Sequence, residues 1–188
     1  ARGVTELGSL PQGATVAVGE GRDTAFLQAL RPDLVTTPLA AAVDDDLGRL
    51  TREEVQALLL PAATLMVLDQ RNRIDVLLEP EAFAPAPGQG AVGLLVREDD
   101  DLAFELAYTL QHRPSFDRVT AERAFAAALP GRLVGALASV SPEGELSLFG
   151  AVAEGGTALQ AETSGDAAEA AQLGRELAAD VEEQLKAL

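Results

Sequence analysis

Pro85-Ala86-Pro87-Gly88-Gln89-Gly90-Ala91, running straight into Val92-Gly93-Leu94-Leu95-Val96, is the stretch that decides how this chain folds. Its two prolines fix φ and remove two backbone donors, and its two glycines allow turns that other residues resist, so no helix runs through it. The apolar run that follows reads as a buried strand. Together they describe a stiff crossover that leaves one domain and enters a sheet elsewhere.

Working outward, strand and helix signals alternate on the N-terminal side. Thr15 to Gly19 reads as a strand after the Pro11-Gly13 turn, and Asp23 to Leu30 as an amphipathic helix that stops before Pro32. Leu34 to Leu39 reads as the next strand. Asp44 to Leu50 has helical spacing, with Val43, Leu47 and Leu50 on one face and the carboxylates expected on the other, as a solvated helix start. Val55 to Leu60, apolar apart from Gln56, is expected to be a strand covered on both faces. This alternation predicts an α/β sandwich.

On the C-terminal side, Asp101 to Gln111 and Phe116 to Leu129 read as helices, the second closed by Pro130-Gly131. Leu133 to Val140 and Leu146 to Ala153 alternate as strands around the turn Ser141-Pro142-Glu143-Gly144, and a third strand is expected near Ala158 to Thr163. A last helix, Ala167 to Leu188, carries Leu173, Leu177, Val181 and Leu185 at steps of four. The tail reads as a small α+β domain.

The 188 residues are 47% hydrophobic, enough for a core, with six Phe, one Tyr and no Trp, so packing is aliphatic. The net charge of −16 opposes nucleic acid and anionic membranes, and no basic patch interleaved with aromatics offsets it. A soluble, cytoplasmic protein is the expectation. There is no cysteine, which removes disulfides, thiolate metal sites and cysteine nucleophiles, and the single histidine, His112, suits a structural or helix-end role. No metal is expected: Asp44-Asp45-Asp46 lacks the spacing and glycine of a calcium loop. Gly88-Gln89-Gly90 and Gly19-Glu20-Gly21 lack the lysine or the length of a nucleotide loop.

The heptapeptide and its flanks, Glu79-Pro80-Glu81-Ala82-Phe83 and Val96-Arg97-Glu98-Asp99-Asp100, resemble the porphobilinogen deaminase (hydroxymethylbilane synthase) family. So do Leu10-Pro11-Gln12-Gly13-Ala14, Arg31-Pro32-Asp33-Leu34 and Val119-Thr120-Ala121-Glu122-Arg123-Ala124-Phe125, in order and at family spacing. The resemblance covers essentially the whole chain and implies a two-lobed fold like that of periplasmic binding proteins, here lacking most of its first domain. Residues 1–129 would correspond to the second domain, with 91–112 as the crossover strand and helix of first-domain type. Residues 130–188 would be the C-terminal α+β domain, and Arg2 to Ser9 the linker after the missing part.

The resemblance also implies chemistry that this chain does not keep. The family builds a chain of four porphobilinogens on a dipyrromethane primer held by a cysteine, with arginines neutralising the carboxylates. Its cysteine loop corresponds to Leu129-Pro130-Gly131-Arg132-Leu133-Val134-Gly135-Ala136, without the cysteine, so the dipyrromethane cofactor is expected to be absent. Its VGTSSLRR becomes Val16-Ala17-Val18-Gly19-Glu20-Gly21-Arg22-Asp23, and its RGNVxTRL becomes Ala40-Ala41-Ala42-Val43-Asp44-Asp45-Asp46-Leu47. Arg22 and Arg73 are the remaining candidate substrate-binding residues. No catalytic residue is expected.

Three functions stay open at this point. One is a degenerate, inactive homologue; another is the C-terminal part of a working synthase completed by a preceding segment or a partner chain; the third is a small-molecule-binding module. In each, Val92 to Val96 is expected to be covered, by a preceding domain, by a second copy of the chain or by a rearranged sheet, because an unpaired apolar edge invites aggregation.

Overall fold

The computed structural model describes residues 5–19 and 21–187. The start of the expected linker, Glu20 and the last residue of the expected C-terminal helix lie outside them. The chain divides into two compact units, one reaching to Ala84 and including Ala153–Ala158, the other made of Pro85–Val152 and Leu159–Leu188.

The first unit is a small parallel sheet with helical connections. Strand β1 (Thr15–Val18) lies between β2 (Val35–Pro38) and β3 (Ala57–Leu58), giving the order β2-β1-β3. Thr15 is opposite Val35 and Val18 opposite Pro38 on one side, and Val16 is opposite Ala57 on the other. Two parallel neighbours on a central strand require both faces to be covered, and Val16, Ala17 and Val18 are all buried. Helix α1 (Arg22–Leu30) joins β1 to β2, and α2 (Val43–Thr51) joins β2 to β3. The core contains Leu10, Ala14, Val16, Val18, Leu27 and Leu34. Arg31 closes this unit by donating to the carbonyls of Leu7 at 2.8 Å and Leu10 at 3.1 Å while pairing with Asp33.

The expected strand Val55 to Leu60 is shorter than its apolar run, since β1 offers only four residues to pair with and Pro61 ends the ladder. Pro61 instead precedes a helix the sequence reading missed, α3 (Ala62–Val67), followed by a single 3-10 turn, Arg71–Arg73.

In the second unit, α4 (Asp101–Tyr108) is capped by Asp100, whose carboxylate accepts the Ala103 N–H at 3.0 Å. Helix α5 (Arg113–Ala128) starts three residues earlier than its hydrophobic pattern suggested, because His112 caps it and Pro114 is tolerated in its first turn. Strands β4 (Leu133–Val140), β5 (Glu145–Glu154) and β6 (Thr157–Asp166) form a sheet in that order. Gly155 and Gly156 both have positive φ, the requirement of the two-residue turn that matches strand twist. A 3-10 turn at Ala167–Glu169 leads into α6 (Ala170–Lys186). Helix α5, which the sequence reading grouped with residues 1–129, packs with α6 and β4 over a core that includes Phe125, Leu146, Leu148, Leu177 and Val181. The helices meet so closely that a Cβ on Gly174 would lie 2.3 Å from the Ala121 carbonyl oxygen.

Val92 to Val96 is a correction. It forms no strand, and Val92 and Leu95 are 91% and 100% exposed. A strand needs a neighbour for its N–H and C=O groups, and no described strand pairs with it, so the chain's own sheets do not cover this segment. Helix α4 likewise buries no residue, leaving Leu102, Phe104, Leu106 and Tyr108 exposed. Among the described residues, no helix is long and apolar enough to cross a membrane.

Candidate functional site

In open parallel sheets, ligands bind beyond the carboxyl ends of the strands. Here that edge is formed by Gly19 after β1, by Leu39 and Ala40 after β2, and by Leu59 after β3. The candidate Arg22, and positions 40 and 46 where the resemblance implies arginines, belong to the segments that leave it.

Arg22 opens α1 behind Gly21, whose φ of 65° turns the chain into the helix. Its guanidinium lies 5.3 Å from the Phe26 ring centroid and 5.5 Å from that of Phe83, within cation–π range. One N–H donates to the Ala84 carbonyl and another to the Asp23 carboxylate. Burial lowers its pKa, opposed by the Asp23 charge and hydrogen bond. The side chain is 17% exposed, so Arg22 is an internal lock that ties the start of α1 to the last residue before the crossover.

Asp46 departs furthest from the sequence reading, which put it with the solvated carboxylates. It is 1% exposed. Both carboxylate oxygens accept the Ala40 N–H, at 3.1 and 3.0 Å, and one also accepts from Arg49 Nη1 at 2.9 Å. The helical spacing explains this: Asp46 follows Val43 by three residues and precedes Leu50 by four, so it shares their inward face. Arg49 Nη1 also donates to the Pro38 carbonyl at 3.0 Å. A carboxylate therefore fills the position where the resemblance implies an arginine.

Arg73 ends the Arg71–Arg73 turn half-buried, its N–H on the Gln70 carbonyl at 2.9 Å. Among the described residues, no group of three or more His, Cys, Asp or Glu side chains is placed to hold a metal ion.

In the second unit the sequence reading missed the role of Glu122. Its Oε2 accepts the Gly88 N–H at 2.6 Å and its Oε1 the Ala138 N–H at 2.8 Å. Burial pushes its pKa up, against the opposing pull of the two N–H donors and the Arg118 charge. The Ala136 N–H holds the Pro85 carbonyl at 2.9 Å, and Gln89 Oε1 accepts the Ala86 N–H at 3.0 Å. Gly88 and Gly90 have φ of 80° and 84°, which is why glycine stands at both positions. The signal for Glu122 was an acid three residues before Phe125, on the helix face that Ala121 and Phe125 mark at a spacing of four. His112 meets the helix-end expectation, accepting the Ser115 N–H at 3.3 Å.

The segment from α5 to β4 is a short turn, with Leu129 3% exposed, Gly131 at φ 79° and the Arg132 N–H on the Leu129 carbonyl at 3.2 Å. It offers no thiol, so its residues do not fit a thioether-linked group.

Residues 1–105 match the sequence model of a family described as porphobilinogen deaminase, dipyromethane cofactor binding domain. A porphobilinogen deaminase of Thermus thermophilus is 50% identical over 183 residues, 95% of this chain and 61% of the relative. One from Deinococcus radiodurans is 42% identical over 187 residues, 97% of this chain and 60% of the relative. One from Roseiflexus castenholzii is 38% identical over 179 residues. The chain thus spans about 60% of the length of these curated relatives.

Proposed function

This chain belongs to the porphobilinogen deaminase family, and we propose that it is a cytoplasmic, non-catalytic member of that family, related to tetrapyrrole synthesis by descent. The observation that carries the reading is the α5–β4 turn, which has no thiol to anchor a dipyrromethane primer. Two further features support it. Arg22 is engaged by Asp23, Ala84 and two aromatic rings, and Asp46, paired with Arg49, puts a carboxylate where the resemblance implies an arginine for a polycarboxylate. Arg22 and Arg73 remain the candidates for holding a small anion.

A second reading keeps the family's two-lobed arrangement, with a preceding domain or partner chain completing a synthase. What favours it is the coverage of only about 60% of the relatives, together with the exposure of Val92, Leu94 and Leu95, which such a domain or a second copy would cover. Incubating the purified full-length product with porphobilinogen separates the two. The non-catalytic reading expects no consumption above a protein-free control, and sustained consumption overturns it.

A further inference from the structure

The Asp46 carboxylate is held in an unusual way for an acid near a helix start. A capping carboxylate accepts N–H groups of its own first turn. Asp46 is already the fourth residue of α2, and it reaches back to the N–H of Ala40, six residues earlier and outside the helix. The groups that receive it are fixed by other contacts. Arg49 is anchored by the Pro38 carbonyl at 3.0 Å and the Thr37 hydroxyl at 3.4 Å. The backbone at Ala40 is set by the Leu39 N–H, which donates to the Val18 carbonyl at 3.3 Å at the end of the β1–β2 ladder. A directed N–H and a fixed guanidinium, converging on a carboxylate that is itself 1% exposed, form a preorganised carboxylate cradle.

We infer that Asp46 is a resident anion, filling from inside the chain a cradle of Ala40 N–H and Arg49 that accepts a free carboxylate once the side chain is removed. An acidic ligand approaching the carboxyl end of β2 therefore finds the Ala40 N–H and Arg49 already engaged. Its bearing on function rests on the reading proposed above, but the cradle itself is tested without reference to porphobilinogen. Turnover by the full-length product would overturn that reading and leave the cradle standing.

The test is chemical rescue of Asp46→Ala in the full chain, by thermal unfolding in sodium formate or acetate against sodium chloride at matched ionic strength. The variant leaves a buried N–H and a guanidinium without their anion, and a free carboxylate replaces it. Formate at ten times its dissociation constant then raises the folded-to-unfolded ratio about tenfold in Asp46→Ala, through single-site linkage, with no matching gain in the parent chain. Asp46→Asn, which keeps the side-chain volume, gains nothing from formate. If Asp46→Ala does not fold in chloride, recovery of its far-UV circular dichroism on refolding in formate is the equivalent positive result. Equal responses of Asp46→Ala and the parent chain to formate, or an unfolded Asp46→Ala in both salts, overturn the inference.

Discussion

Glu122 Oε2 accepts the N–H of Gly88 at 2.6 Å, so one carboxylate on α5 fixes the loop whose prolines and glycines first suggested a crossover. Its other oxygen holds Ala138 on β4 at 2.8 Å, so loop, helix and strand meet at a single buried side chain. Glu122→Ala leaves both N–H groups without this acceptor and is expected to cost about 2–5 kcal/mol. Hydrogen exchange should localise the damage, with the Gly88 and Ala138 amides losing protection ahead of their neighbours.

The pH dependence of that clamp has a definite sign. Burial raises the pKa of Glu122 in the folded state, so the folded chain binds this proton more readily than the unfolded chain does. Its contribution therefore opposes folding as pH rises from the ordinary carboxylate range, and the full cost is present above the folded-state value. Glu122→Gln should flatten this part of the stability profile, read by urea unfolding at a series of pH values.

Asp33 behaves in the opposite way. The hydrogen bond from Arg31 holds its pKa down to about 2. A lowered carboxylate pKa adds stability above the unfolded value, and that stability is lost as pH falls toward 2. Asp33→Asn should lose this contribution at neutral pH and unfold with less dependence on acid than the parent chain. Circular dichroism between about pH 4.5 and 2 measures the difference.

Gly174 is where α5 and α6 come closest. An added methyl group would lie 2.3 Å from the Ala121 carbonyl oxygen and 2.8 Å from the Phe125 backbone nitrogen. Backbone cannot move aside as a side-chain tip does, so Gly174→Ala should destabilise the second unit by about 1–3 kcal/mol or more despite alanine's better helix propensity. Thermal unfolding read by helical circular dichroism is the check.

The exposed apolar segment makes its own prediction. Leu95 is fully exposed, with Val92 and Leu94 beside it. Leu95→Lys should reduce self-association of the isolated chain, seen by light scattering, while changing its unfolding free energy by no more than about 0.5 kcal/mol.

The regular elements were legible because each carries its own local signal. The β1-α1-β2-α2-β3 order follows from apolar runs broken by the Pro11-Gly13 turn and Pro32, and the β4-β5 hairpin from alternation around the turn ending at Gly144. The Val92–Val96 segment misled because an apolar run shows what a segment prefers to bury, while a strand also needs a partner. Asp46 misled, and Glu122 was missed, for the converse reason. A carboxylate reads as solvated until its donors are known, and these lie 6, 16 and 34 residues away in sequence. Arg22 was found in the sequence, but its two ring neighbours and the Ala84 carbonyl were not, since Phe83 and Ala84 reach it only through the fold.

The non-catalytic role proposed above requires that this chain carry no covalent pyrrole primer. Intact-mass spectrometry of the full-length product, purified from cells that make porphobilinogen and then incubated with it, tests that claim most directly. The account predicts a single species at the mass of the polypeptide alone. A species heavier by two linked pyrrole units, stable to denaturation, would contradict it.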